Sequence, residues 1–185
     1  LGAVLKKPVV LRLALEGTLD AALSGRTITG VSRHLHFVQF ALAPTDVALV
    51  VAPMLAGRFV VTDPKKKAAA DTALVLALDD GRELRYRDDV QMGKVYVLPE
   101  ASVGTIPGWT PAGVDVLDAK RFTPAAFRAL AKKRRDQLKP FLMDKAALDS
   151  MGNAYADEVL FEARLHPKAM VRSLAPEELD RLHAA

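Results

Sequence analysis

Apolar residues fall in short β-like runs through the first hundred residues, and they alternate at every second position in the stretch 29–42. After residue 116 they recur at every third or fourth. No single sheet or bundle serves both periods, so the chain is expected to carry a β part followed by a helical part. The β part contains "TITGVSRHLHFVQFAL" (27–42), "DVALVVAPMLAGRFVV", "TALVLALDDGRELRYRDD" and "GKVYVLP". Asp80-Gly81, between two β-rich runs, predicts a hairpin. Short strands with turn punctuation predict a β-sandwich or barrel. Alternation through 27–42 sets Val31, Arg33, Leu35, Phe37 and Gln39 on one face and the histidines on the other. Pro8 marks an edge or a bulge in the first strand. "LEGTLDAALSG" reads as a short helix with Leu15, Leu19, Ala22 and Leu23 on one face and Gly25 as its C-cap. Residues 64–71, "PKKKAAAD", read as a charged loop.

The Gly/Pro-rich stretch "GTIPGWTPAGVD" (104–115) is the expected linker. The fold class expected is α+β, with a β-sandwich over 1–110 and an all-helical domain over 111–185. Thr123-Pro124 supplies an N-cap and a proline at the first helical position, and Phe127, Leu130 and Ala131 begin an apolar stripe. A second helix is expected near Lys139–Lys145, a third from Asn153, and a fourth from Pro176. Glu177 and Glu178 lie in the first turn of the fourth, where the helix dipole favours acid.

Composition excludes several chemistries. The 185 residues contain no cysteine, hence no disulfide, thiol nucleophile or thiolate metal site. His34, His36, His166 and His183 show no metal-ligand spacing with carboxylates, and no metal is expected. No apolar run reaches the roughly 18 residues of a membrane span. The net charge of +4 is unevenly placed. Residues 116–145 hold nine Lys/Arg against three Asp, whereas 146–185 hold four against seven acids. A local basic block suits a phosphate-contacting surface, and equally a solvated helix face.

Within "SMGNAYADEVLFEARLHP" (150–167), Gly152-Asn153 opens the third helix. Asn153 is expected to cap it, and Gly152 to take a backbone conformation that other residues resist. Free N–H groups at such a helix end attract phosphate, to which Lys139 would add charge. Spacing alone leaves an ordinary capped helix as the other reading.

The stretch "LKPFLMDKAALDSMGNAYADEVLFEARLHP" resembles the helix-two-turns-helix of the formamidopyrimidine-DNA glycosylase and endonuclease VIII family. The matching residues are Lys139, Leu142, Asp144, Gly152, Asn153, Tyr155, Ala156, Asp157, Glu158, Leu160, Phe161, His166 and Pro167. "LSGRTITGV" (23–31), "MLAGRF" (54–59) and "LDDGRELRYRDDVQMGKVYVLP" (78–99) resemble family segments in the same order. The resemblance implies a base-excision-repair glycosylase and abasic-site lyase that binds damaged or abasic double-stranded DNA in a cleft between its two domains. It also implies a monomer, no membrane association, and a bacterial cytoplasmic location. A relative that only binds damaged or distorted DNA is the alternative. Carried over residue by residue, Lys139 and Asn153 contact phosphates, with Gly152 and Tyr155 beside them. Arg58 and Lys94 add charge near the cleft. Leu55 fills the void left when the damaged base flips out.

Some family features have no counterpart here. The amino-terminal Pro-Glu, whose secondary amine attacks the sugar C1′, is missing from residues 1–185, as are the helix after it and the four-cysteine zinc finger. Their absence suits a chain that is part of a longer protein, with a natural minimal form as the other reading. No catalytic residue is therefore assigned, and zinc is expected only with such a finger. His36 stands where the family has a lysine that helps catalysis, and is expected either to donate a hydrogen bond to a phosphate or act as acid or base, or to be a half-buried strand residue. Val90, Gln91 and Met92 replace the family's arginines and aromatic ring.

Overall fold

The computed structural model describes residues 1–7, 10–15 and 17–185. The expectation for Pro8 lies outside the described residues. The chain divides into two compact units, Leu1–Trp109 and Thr110–Ala185. The boundary falls inside the Gly/Pro-rich 104–115 stretch.

In the first unit, β1 (Gly2–Leu5), β7 (Thr72–Ala77), β8 (Glu83–Arg87) and β6 (Arg58–Thr62) form a four-stranded sheet in the order β1-β7-β8-β6. A five-stranded sheet has the order β2 (Leu11–Leu13), β9 (Lys94–Pro99), β5 (Val47–Ala52), β4 (Phe37–Ala43) and β3 (Thr27–His34). β5 is apolar at every position because both of its faces are buried. Val47, Leu49 and Val51 share a core with Leu74, Leu76 and Tyr86 of the other sheet. Ala48, Val50 and Ala52 pack the opposite side with Phe37, Leu98, Val103 and Ile106. Each fully buried large apolar side chain contributes about 2 kcal/mol to the transfer term. The hairpin at Asp80-Gly81 joins β7 to β8, with Gly81 at φ +81°. α1 (Leu19–Leu23) is capped by Thr18, whose Oγ1 accepts from the Ala21 N–H at 3.2 Å, and it buries Leu19, Ala22 and Leu23.

Residues 27–42 are not one alternating strand. The chain reverses at Leu35-His36, so His34 pairs with Phe37, and Leu35 adopts φ +50°. The two-residue turn breaks the face assignment that strict alternation predicts.

The second unit contains α2 (Pro124–Lys132), α3 (Leu138–Met143), α4 (Asn153–Glu162) and α5 (Pro176–Ala184). Thr123 caps α2, accepting from the Ala126 N–H at 3.2 Å. The unit is not all-helical: β10 (Val114–Asp115) pairs in parallel with β11 (Leu148–Asp149). Two-residue strands are too short to leave a period in the sequence, which is why they were not expected. α3 ends at Met143 because Asp144 turns out of the helix and accepts from the Ala146 N–H at 3.0 Å.

Carboxylates paired with arginine make both units sensitive to acid. The bidentate Arg87 guanidinium holds Asp71 below the usual carboxylate range, and Arg134 does the same for Asp136. A depressed folded pKa gives stability that is present above the unfolded value of about 3.9 and lost as pH falls through the folded one. Urea midpoints should therefore hold steady down to about pH 4 and fall below it. Asp136→Asn should flatten that fall for the second unit, and an unchanged slope would show that the pair is not its source.

Candidate nucleic-acid interface

Strand register gathers part of the expected site at one end of the five-stranded sheet. Lys94 opens β9 opposite Ala52, the last residue of β5. The loop 53–57 leaves from that point and lifts Leu55 into solvent, 79% exposed. β4 pairs Val38 with Val51, so the turn carrying His36 lies at the same end. Arg58 opens β6 directly after the loop.

These side chains differ in what already engages them. Arg58 donates to Asp71 at 2.6 Å and to the Ala56 carbonyl at 3.1 Å, and approaches Asp89 at 3.9 Å, so it is a paired residue. Lys94 has no ion pair among the described residues. The His36 ring tilts against Phe37 at a centroid distance of 4.0 Å. His34 stacks on Trp109 at 4.0 Å, and its Nε2 lies 2.7 Å from the Trp109 carbonyl. A carbonyl only accepts, so that nitrogen carries the proton. A neighbouring loop, 88–93, exposes Val90 and Met92.

In the second unit the α4 end differs from expectation. Gly152 is the N-cap and Asn153 is the first helical residue, and no side chain caps the end. Gly152 has φ −102° and ψ 169°, extended backbone open to any residue, while the left-handed residue is Ser150 at φ +69°. A Cβ on Gly152 would meet nothing within 4 Å. The N–H groups of Asn153, Ala154 and Tyr155 have no backbone acceptor among the described residues, and no acidic side chain occupies the first turn. Tyr155 is 72% exposed. This is an open, positively polarised helix end.

Lys139 on α3 reaches the same helix, its Nζ lying 2.7 and 2.9 Å from the two Asp157 carboxylate oxygens. Both partners are substantially exposed, and such pairs contribute about 0–1 kcal/mol. Within the basic block, Arg128 pairs with Asp180, and Arg134 bridges Asp136 and Asp144 over the Phe141 ring. Lys120, Arg121, Lys132, Lys133, Arg135 and Lys145 show no ion pair among the described residues. The block is thus part internal scaffold and part free positive surface. The scaffold role of Arg134 was not apparent from composition, because Asp144 lies ten residues away in sequence.

Two buried residues also escaped the sequence reading. Tyr86 on β8 and Asp88 at the start of the 88–93 loop are both 0% exposed. Asp88 accepts from the Gln91 N–H at 3.0 Å and the Gly93 N–H at 2.7 Å. Burial first, and the Asp88 charge second, push the Tyr86 pKa upward, so the phenol stays protonated. The available signal was Gly57, two positions after the exposed Leu55, and Gly93, directly after the exposed Met92. No cluster of three or more His, Asp or Glu residues able to hold a metal occurs among the described residues, and the chain has no cysteine. Residues 1–185 thus supply no four-cysteine zinc site. No helix among the described residues is long and apolar enough to cross a membrane.

Two domain models of one DNA-glycosylase family match these two units in order. The model of the formamidopyrimidine-DNA glycosylase N-terminal domain matches residues 2–95, and that of the formamidopyrimidine-DNA glycosylase H2TH domain matches 113–185. The formamidopyrimidine-DNA glycosylase of Brevibacillus brevis is 36% identical over 161 residues, covering 87% of this chain and 57% of that protein. That of Moorella thermoacetica is 35% identical over 168 residues, covering 91% and 61%. The Lactococcus lactis Fpg bound to abasic-site DNA superposes with TM-score 0.82 at 23% identity, covering 99% of this chain and 66% of that one. Its complex with FAPY-dG DNA gives 0.83 at 22% identity, covering 99% and 68%. The chain belongs to the formamidopyrimidine-DNA glycosylase family. It spans about 57–61% of the length of those two curated relatives.

Proposed function

We propose that this chain forms the DNA-gripping and lesion-probing part of a glycosylase that removes oxidised bases from duplex DNA. The observation that carries this reading is the open α4 end, with unpartnered N–H groups and Lys139 beside it. A separate observation, within the first unit, is the exposed Leu55 at the sheet end that also carries Lys94 and His36. A phosphate at α4 would accept from the free N–H groups and the Asn153 amide. Lys139 would exchange Asp157 for that phosphate at little cost, since an exposed ion pair is weak. Leu55 would fill the space left by an everted base, offsetting lost stacking. The cutting step belongs to a secondary amine that residues 1–185 do not supply, so these residues bind, orient and probe.

Two experiments test this. Asn153→Ala with Lys139→Ala should weaken binding to an abasic duplex about tenfold and lower the salt slope by about one. Unchanged affinity and slope would sink the phosphate assignment. Borohydride trapping of the full-length protein on an 8-oxoguanine duplex should yield a covalent adduct. Binding without an adduct would make the protein a recognition factor.

A further inference from the structure

We propose that the loops 53–57 and 88–93 form one rigid unit, with Tyr86 as its positioning residue and Asp88 as its anchor. The Tyr86 side chain reaches from β8 until its hydroxyl is wedged between the two loops. A Cβ built on either Gly57 or Gly93 would run into Tyr86 Oη, well inside van der Waals contact. The hydroxyl has no partner at strict hydrogen-bond geometry but lies close enough to the Asp88 carboxylate to feel it, so it holds the loops by its bulk and by that approach. Asp88 ties the second loop by accepting from the Gln91 and Gly93 N–H groups. The first loop is closed by the Gly57 N–H on the Pro53 carbonyl at 2.9 Å. Arg58, at the root of the first loop, adds a long tie to Asp89 in the second at 3.9 Å.

Each loop also holds a left-handed residue that is not glycine, Met54 at φ +53° and Gln91 at φ +59°. Such conformations persist where surrounding contacts over-determine them. What the unit presents is apolar and exposed: Leu55 at 79%, with Val90 at 51% and Met92 at 44%. Aliphatic tips on a fixed base form a preorganised probe whose ordering entropy is settled before DNA arrives. The inference about what the probe does rests on the proposed DNA-binding function, but the coupling of the loops does not.

The experiment is native-state hydrogen exchange at the Gly57 and Gly93 amides, paired with 2-aminopurine fluorescence in an abasic-site duplex. In the wild type the two amides should open together, with one urea dependence. Separate openings would overturn the proposal without any variant. Tyr86→Phe and Asp88→Asn should each speed exchange at both glycines about tenfold. Asp88 touches only the second loop, so an unchanged Gly57 in both variants would overturn the coupling. With DNA, Tyr86→Phe should lower the eversion signal about tenfold while duplex affinity stays within twofold. A merely structural role would move affinity and melting temperature together and leave that ratio unchanged, which would remove Tyr86 as a positioning residue. Coupled exchange with no eversion signal in the wild type would leave the rigid unit standing and sink the lesion-probing function alone.

Discussion

Gly93→Ala should destabilise the first unit by about 3 kcal/mol, the upper end of what overpacking in a closed core costs. The added methyl would overlap Tyr86 Oη and lie 2.9 Å from Asp88 Oδ2 and 3.0 Å from Tyr86 Cζ. Neither neighbour can swing aside, since both are 0% exposed. The clash should therefore push on the 88–93 loop and on the Asp88 hydrogen bonds. Tyr86→Phe removes the worst overlap and leaves the two near 3 Å. The double variant should recover about 1 kcal/mol relative to the sum of the single changes. Urea unfolding of the four members of this cycle is the measurement. Additive losses would mean that the hydroxyl is not what excludes a side chain at position 93.

Gly113→Ala should cost the second unit about as much, roughly 3 kcal/mol, for a different reason. Here a Cβ would lie 2.6 Å from the Ala147 carbonyl carbon and oxygen and from the Lys145 oxygen. All three are backbone atoms, so no side-chain deletion can make room. The neighbouring Val114 N–H donates to the Ala147 carbonyl at 3.0 Å, and Ala112 N–H approaches Asp149 at 3.4 Å. The β10–β11 pairing thus depends on the close approach at residue 113. Urea unfolding should show the loss, and amide shifts at Val114 and Val116 should move first. A stability change under 1 kcal/mol would show that the segment relaxes freely.

Much of the architecture was legible from period and punctuation. The segment containing Val47–Ala52 was legible as β, but its burial on both faces came only with the structure. Thr123-Pro124 marked the start of α2, and Pro176 with two glutamates marked α5. Leu35-His36 defeated the alternation argument because a leucine at positive φ is not a turn signal. The α4 end misled for a related reason: Gly-Asn looks like a glycine needed for its backbone and an amide needed for its cap. Gly152 instead has ordinary dihedrals and open space where a side chain would stand. The candidate site divided the same way. Exposed tips such as Leu55 could be placed by motif resemblance. The Tyr86–Asp88 pair could not, since nothing in a linear pattern shows a hydroxyl reaching two glycines in loops more than thirty residues apart. Charge counting found the basic block but could not separate Arg134, which is held by two aspartates, from the free lysines.

The Lys139–Asp157 pair has a kinetic consequence. A lysine without an ion partner meets an arriving phosphate unopposed. Lys139 instead carries a carboxylate from its own fold as a resident counter-ion, 2.7 Å away. Under the proposed function, a phosphate arriving there would displace Asp157, and one leaving would be replaced by it. The displaced carboxylate would stay beside the phosphate and repel it, so the grip would be quick to release. A protein that must test many sites on a long duplex would gain speed from such a hold.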